Sequence, residues 1–139
     1  MLSELVDRCV EEVKKELEDL YLEVHYQNLL AHYLRKEGCT VESEVVVPYK
    51  TSSGFQFGVG RIDLLVTKDE ECMILELKAG VSSSGNTRRK AVQQAVRYQR
   101  HLDKNVPAKV IFFATGGFKN IVYLPALSRK EHDIRREVA

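Results

Sequence analysis

The stretch that decides the fold is "GRIDLLVTKDEECMILELKAG", residues 60–80. Two apolar runs flank Lys68-Asp69-Glu70-Glu71, the pattern of two strands joined by a tight turn. Asp63, Glu76 and Lys78 interrupt those runs where aliphatic side chains would pack better. Side chains alternate faces along a strand. Ile62, Leu64 and Val66 therefore share one face and leave Asp63 on the other. Met73, Leu75 and Leu77 share a face in the second strand, which puts Glu76 and Lys78 together on its opposite side. With Asp69–Glu70 at the tip, Lys68 pairs with Glu71, Leu64 faces Leu75, and Asp63 faces Glu76. A one-residue slip would turn both apolar rows outward, so the parity is fixed.

Pattern alone thus gathers two acids and a lysine on one sheet face. Carboxylates about 5 Å apart repel by roughly 3 kcal/mol at an effective dielectric of about 20. Lys78 offsets part of that, and a divalent cation would offset more. The plainer alternative is a solvated face on which Asp63 and Glu76 pair with Arg61 and Lys78, interactions that stabilise little.

Outward from the hairpin, residues 3–37 read as helical in two pieces. Leu2, Leu5, Val6, Cys9, Val10, Val13, Leu17 and Leu20 lie on one stripe, and Leu22, Tyr26, Leu29, Leu30, Tyr33 and Leu34 on another. At about 100° per residue the second stripe is rotated by roughly 140° from the first, which predicts a break near Asp19–Leu22. Gly38 stands where a helix C-terminal glycine belongs. "TVESEVVVPY" reads as a strand, with Pro48 marking an edge or an end, and "TSSG" as a turn. After the hairpin, "KAVQQAVRYQRHLDK" is predicted helical and "AKVIFFAT" a buried strand. "GGFKN" turns into a last strand, "NIVYLPAL", and "SRKEHDIRREVA" is predicted as a frayed helix. The order α-α-β-β-β-α-β-β implies an α/β domain, a mixed sheet of about five strands flanked by helices.

The bulk numbers agree with one domain spanning residues 1–139: 44% hydrophobic residues can supply a core, and 3 prolines argue against a long disordered tract. A net charge of +1 makes no global electrostatic claim on nucleic acid, so any such claim rests on local patches. Cys9, Cys39 and Cys72 are odd in number and scattered, which fits reduced thiols in an intracellular protein rather than a disulfide framework or a zinc site. "MLSELVDRCVEEVKKELEDL" is charged every few residues and reads as neither signal peptide nor membrane span. No Gly-rich phosphate loop, nucleophile elbow or Cys–His pairing supports a small-molecule enzyme.

Four motifs in order resemble the PD-(D/E)XK nuclease superfamily, and more narrowly its GxxExxY branch. They are Glu23-x-x-Tyr26 in "LYLEVHYQNLL", Asp63 in "GRIDLLV", Glu76-Leu-Lys78 in "ILELKAG", and Gln94-x-x-x-Tyr98 in "QQAVRYQ". The glycine that names the branch is replaced by Leu20, which would make the turn before Glu23 more helical. The resemblance implies a restriction-endonuclease-like core and metal-dependent phosphodiester hydrolysis. Asp63, Glu76, the Leu77 carbonyl and Glu23 would hold Mg²⁺ or Mn²⁺. Lys78 would help activate water, Gln94 would position a water or a phosphate, and Tyr26 and Tyr98 would support the site from the core.

Nucleic acid, with DNA favoured, is the implied partner. Arg88, Arg89 and Lys90 in a Gly/Ser-flanked loop, then Arg97, Arg100 and Lys104 along the next helix, supply cations, with Lys50 and Arg61 near the preceding turns. His101 is a further candidate for the substrate side. The same charges also fit an ordinary solvated helix face. No run interleaving aromatic and basic residues marks a stacking platform, so selective single-strand binding is not expected. Small stand-alone members of the superfamily include Holliday-junction resolvases, which act as homodimers, and the short chain fits that style. A catalytically silent binding or adaptor module is the alternative class.

Overall fold

The computed structural model describes residues 1–79, 85–113 and 121–128. Two helices open the chain, α1 (Leu2–Leu17) and α2 (Glu23–Lys36), and the break between them falls where the apolar stripes change phase. The chain leaves α1 through Glu18 at φ 52, and Leu20 lies in the non-helical link, so the more helical turn expected from Leu20 does not form. Tyr26 straps this link by donating its hydroxyl to the Glu18 carbonyl (2.5 Å) and stacks on Phe113. Gly38, at φ 91, ends α2 by donating its N–H to the Arg35 carbonyl.

The remaining elements are β1 (Thr40–Lys50), β2 (Gln56–Lys68), β3 (Glu71–Lys78), α3 (Gly85–His101), β4 (Ala108–Phe112) and β5 (Ile121–Leu124). They form one five-stranded sheet in the order β1-β2-β3-β4-β5, antiparallel except for the parallel pair β3–β4. Pro48 sits on the edge strand β1, where a missing N–H is tolerated. α1 and α2 cover one face of the sheet around Leu64, Val66, Met73, Leu75 and Leu77. α3 covers the other around Ile62, Ile74, Ala108, Val110 and Phe112. α1 is further pinned by Lys109 of β4, a buried ammonium that donates to Asp7 Oδ1 (2.7 Å) and to the Ser3 carbonyl (2.8 Å). Among the described residues, no helix is long and apolar enough to cross a membrane.

Two features differ from the sequence expectation. α3 begins at Gly85 rather than Lys90, so Thr87–Lys90 forms helix instead of loop, with Arg89 bonded to Asn86 Oδ1 in the first turn. Long unbranched residues such as these arginines lose little freedom in a helix. The "GGFKN" turn and the chain after Ser128 lie outside the described residues.

The second difference concerns the pleat. Lys68 opposes Glu71 and Leu64 opposes Leu75 as the turn chemistry implies, but Ile62 does not share a face with Leu64 and Val66. Ile62 packs with α3, while Leu64 and Val66 pack with α1 and α2. On β1 the same switch separates Val41 from Val47. Both strands cross from one core to the other near Asp63 and Glu44, which fall opposite each other in register, and Glu44 has φ 55. A left-handed residue within a strand breaks strict alternation. The irregularity sits beside the acids.

Beyond this point the hairpin closes against α3 through Gly60. A Cβ there would lie 2.1 Å from Tyr49 Oη and 2.7 Å from Tyr98 Cε1. Tyr98 is fully buried, and its hydroxyl donates to the Arg61 carbonyl (2.7 Å), so it cannot retreat. Gly60→Ala should cost about 1–3 kcal/mol by overpacking. Gly58→Ala, whose nearest neighbour would be Tyr49 Cδ2 at an ordinary 3.5 Å, is the matched control. Urea denaturation of both variants checks the contrast, and equal midpoints would contradict it.

Candidate active site

Three elements bring carboxyl groups to one end of β3. The β2–β3 ladder stops after Leu64–Leu75. Past that rung the Leu77 N–H donates to the Asp63 side chain, at 2.7 Å from Oδ2, rather than continuing the ladder. The Asp63 carbonyl instead accepts from Gln27 Nε2 at 3.2 Å, and the same amide reaches Glu44 Oε1 at 3.4 Å. Gln27 is buried in α2, so helix and strand together hold Asp63 at both its backbone and its carboxylate.

Glu76 stands beside it with a relative exposure of only 2%. Its Oε2 lies 3.6 Å from Lys78 Nζ, whereas Oε1 is buried with no hydrogen-bond partner. Glu23, the first residue of α2, accepts the Ala79 N–H at 3.1 Å and so ties the helix to the end of β3. The solvated-face alternative holds in one part and fails in two: Glu76 does pair with Lys78, but Glu76 is buried rather than solvated, and Arg61 pairs with Glu44 at 4.0 Å instead of with Asp63.

Burial sets the electrostatics. Desolvation, followed by the charge of Asp63, pushes the Glu76 carboxyl well above the usual carboxylate range. Burial raises Asp63 too, opposed chiefly by the Leu77 N–H. Glu23 is raised by burial and restrained by the Ala79 N–H and the Lys78 charge. A buried and a half-buried carboxyl that resist joint ionisation, the buried one with an orphaned oxygen, suit a hard divalent cation. Among the described residues no three Asp, Glu, His or Cys side chains form a ready-made cage. A two-carboxylate set is what Mg²⁺ ordinarily uses, because it keeps several waters. The donors fit such an ion.

Lys78 is one-third exposed and lines a cleft of about 540 Å³ with Thr87, Lys90, Gln94 and Arg97 of α3. Gln94 and two of the expected cations therefore face the acids' end of β3. The others disperse. Arg88 packs its guanidinium 4.2 Å over the Phe112 ring, and Arg89 bonds Asn86. Arg100 and Lys50 line a separate pocket at the far end of α3. Tyr26 and Tyr98 are core residues with bonded hydroxyls.

A family model of the PD-(D/E)XK nuclease superfamily matches residues 1–122. The chain belongs to that superfamily. Its members are nucleases that typically use divalent metals, which accords with the pairing of Asp63 with the buried Glu76. The match is made at superfamily level, so the GxxExxY branch rests on the motifs alone. A search of curated proteins returned no match.

Sequence reasoning missed Gln27 and Glu44. Gln27 lies one helical turn after Glu23 on the same side of α2, a spacing that was legible. Nothing in the sequence marks Glu44 as the left-handed residue of an edge strand.

The buried acids imply a definite pH response. An unfolded glutamate loses its proton near 4.5, but the folded protein keeps the proton on Glu76 to higher pH. Above that value the native state binds more protons than the unfolded state, so stability falls as pH rises. In chelator, the melting temperature should drop from about pH 5 to about pH 8, and Glu76→Gln should flatten the slope. Saturating Mg²⁺ should flatten it as well. A wild-type profile parallel to that of Glu76→Gln would overturn the assignment.

Proposed function

We propose that this protein is a divalent-metal-dependent nuclease that hydrolyses phosphodiester bonds in DNA, with Asp63, Glu76 and Lys78 at its centre. One observation carries the reading: a buried glutamate with an unsatisfied oxygen stands beside an aspartate, two residues before Lys78, which lines a cationic cleft. A pure binding module has no use for such a pair, whose mutual repulsion only costs stability.

A cation held by Asp63 and Glu76, with the Leu77 carbonyl and Glu23 completing the set, would neutralise phosphate charge and acidify water. Lys78 would orient a water and stabilise charge developing on the phosphate. Gln94, across the cleft, positions a water or a phosphate oxygen. Glu23 holds the end of β3 through the Ala79 amide, so its carboxylate also fixes the direction of Lys78. Lys90 and Arg97 attract the flanking phosphates.

Cleavage of plasmid and linear DNA should require Mg²⁺ or Mn²⁺ and stop in chelator. Asp63→Ala and Lys78→Ala should each lower the rate by at least about 100-fold with circular dichroism unchanged. Cleavage by either variant at the wild-type rate would end the proposal. Calorimetric titration separates the adaptor reading, because a silent module would bind neither cation. Nicked, branched and RNA substrates, with sedimentation to detect a dimer, decide whether the activity is of the junction-resolving type.

A further inference from the structure

The far end of α3 carries a feature that the linear sequence conceals. Tyr49 of β1, Phe57 of β2 and His101 of α3 meet there as a ring cluster. Centroids lie 4.8 Å apart for Tyr49–His101, 6.0 Å for Phe57–His101 and 6.3 Å for Tyr49–Phe57. Phe57 is nevertheless 59% exposed, and Phe55 at the hairpin turn is 68% exposed. The cluster is braced rather than loose: His101 Nδ1 accepts the Lys50 N–H at 3.3 Å, and the Tyr49 hydroxyl lies over Gly60 against Tyr98. Lys50 and Arg100 line the adjoining pocket, with one acid, Asp103.

This cluster and the acid site are joined by one edge of α3. Lys90, Gln94, Arg97 and His101 recur at helical spacing, and the first three line the cleft that holds Lys78. From Lys90 to His101 the helix advances about 16 Å. That is on the order of five nucleotides at duplex spacing along one strand, fewer if the strand is stretched. β2 makes a second connection, since Phe57 and Asp63 lie on the same strand.

The geometry points to a stacking platform for unpaired nucleotides: a strand leaving the acid site runs along this cationic edge and places a base on Phe57. Every base has a π-face, so an exposed aromatic ring next to cations is suited to single-stranded nucleic acid, whereas a paired base offers its face only to its neighbours in the stack. The charges argue for a polyanion over an apolar protein surface, because Lys50 and Arg100 line the pocket that includes His101. The sequence holds no aromatic-basic run because the three rings come from three separate elements. The inference deepens the nuclease reading and rests on it for cleavage, though not for binding. The preferred substrate then has a single-stranded or splayed segment beside the cut.

Binding without catalysis tests the platform separately from the nuclease reading. Fluorescence anisotropy in chelator would compare a 12-nucleotide single strand with the blunt duplex of the same sequence, for wild type, Phe57→Ala and Phe57→Trp. Phe57→Ala should weaken single-strand binding by about 5- to 150-fold and leave duplex binding unchanged. Phe57→Trp should restore it. A 2-aminopurine base in the strand should be quenched by wild type and not by Phe57→Ala. With Mg²⁺, KM for a single-strand-tailed duplex should rise in Phe57→Ala while kcat stays constant. Equal losses on single strand and duplex would overturn the platform, as would unchanged binding to both. Sedimentation is the remaining arm: a dimer that Phe57→Ala converts to monomer would assign the rings to an interface between copies and overturn the proposal. Wild-type DNA left intact in Mg²⁺ or Mn²⁺, with selective single-strand loss in Phe57→Ala, would defeat the nuclease reading and leave the platform standing.

Discussion

The Leu77 amide donates to a side chain where an uninterrupted ladder would offer it backbone, and the site depends on that exchange. Because Asp63 supplies the acceptor, β2 and β3 stop pairing at Leu64–Leu75 without stranding the N–H, whose loss inside a protein would be expensive. The opening that results is where Glu76 finds its place against Asp63. It is also where α2 can reach the sheet, with Glu23 on the Ala79 amide and Gln27 on the Asp63 carbonyl. Remove the exchange and β2–β3 becomes an ordinary hairpin.

The same interruption explains the distribution of burial and charge. Glu44 takes a left-handed backbone conformation opposite Asp63, and both strands cross there from the core under α1 and α2 to the core under α3. The acids lie at this crossing, Glu76 buried and Asp63 half-buried, which desolvates both. Lys78 occupies the rim, one-third exposed and within 3.6 Å of Glu76, close enough to moderate the acid pair while it lines the cleft.

Much of this was legible from residue pattern. Alternation and a tight turn fixed the register that sets Leu64 against Leu75, and the phase shift between two apolar stripes located the break before Glu23. Other features required tertiary information. The apolar rows could not reveal that Ile62 and Leu64 serve different cores, because both residues are aliphatic and either core accepts them. The start of α3 was set too late because Gly85, Asn86 and Thr87 are weak helix formers, and their placement depends on the sheet that the helix covers. The grouping of Tyr49, Phe57 and His101 had no local signature at all: two come from a hairpin and one from a helix end, and only closure over Gly60 brings them together.

The parallel pairing of β3 with β4 has a consequence for the order of assembly. β1, β2 and β3 follow one another through short turns, so their pairing closes small loops and carries little entropic cost. β3 meets β4 only after the chain has crossed over from Lys78 to Ala108 by way of α3. Contacts of that sequence separation are slow to form. The meander can therefore bring Asp63 beside Leu77 while the opposite wall, with Gln94 and Arg97, is still undocked. The cleft between Lys78 and α3 is then completed late in the folding of each new chain, when the crossover helix settles and not when the acids first meet.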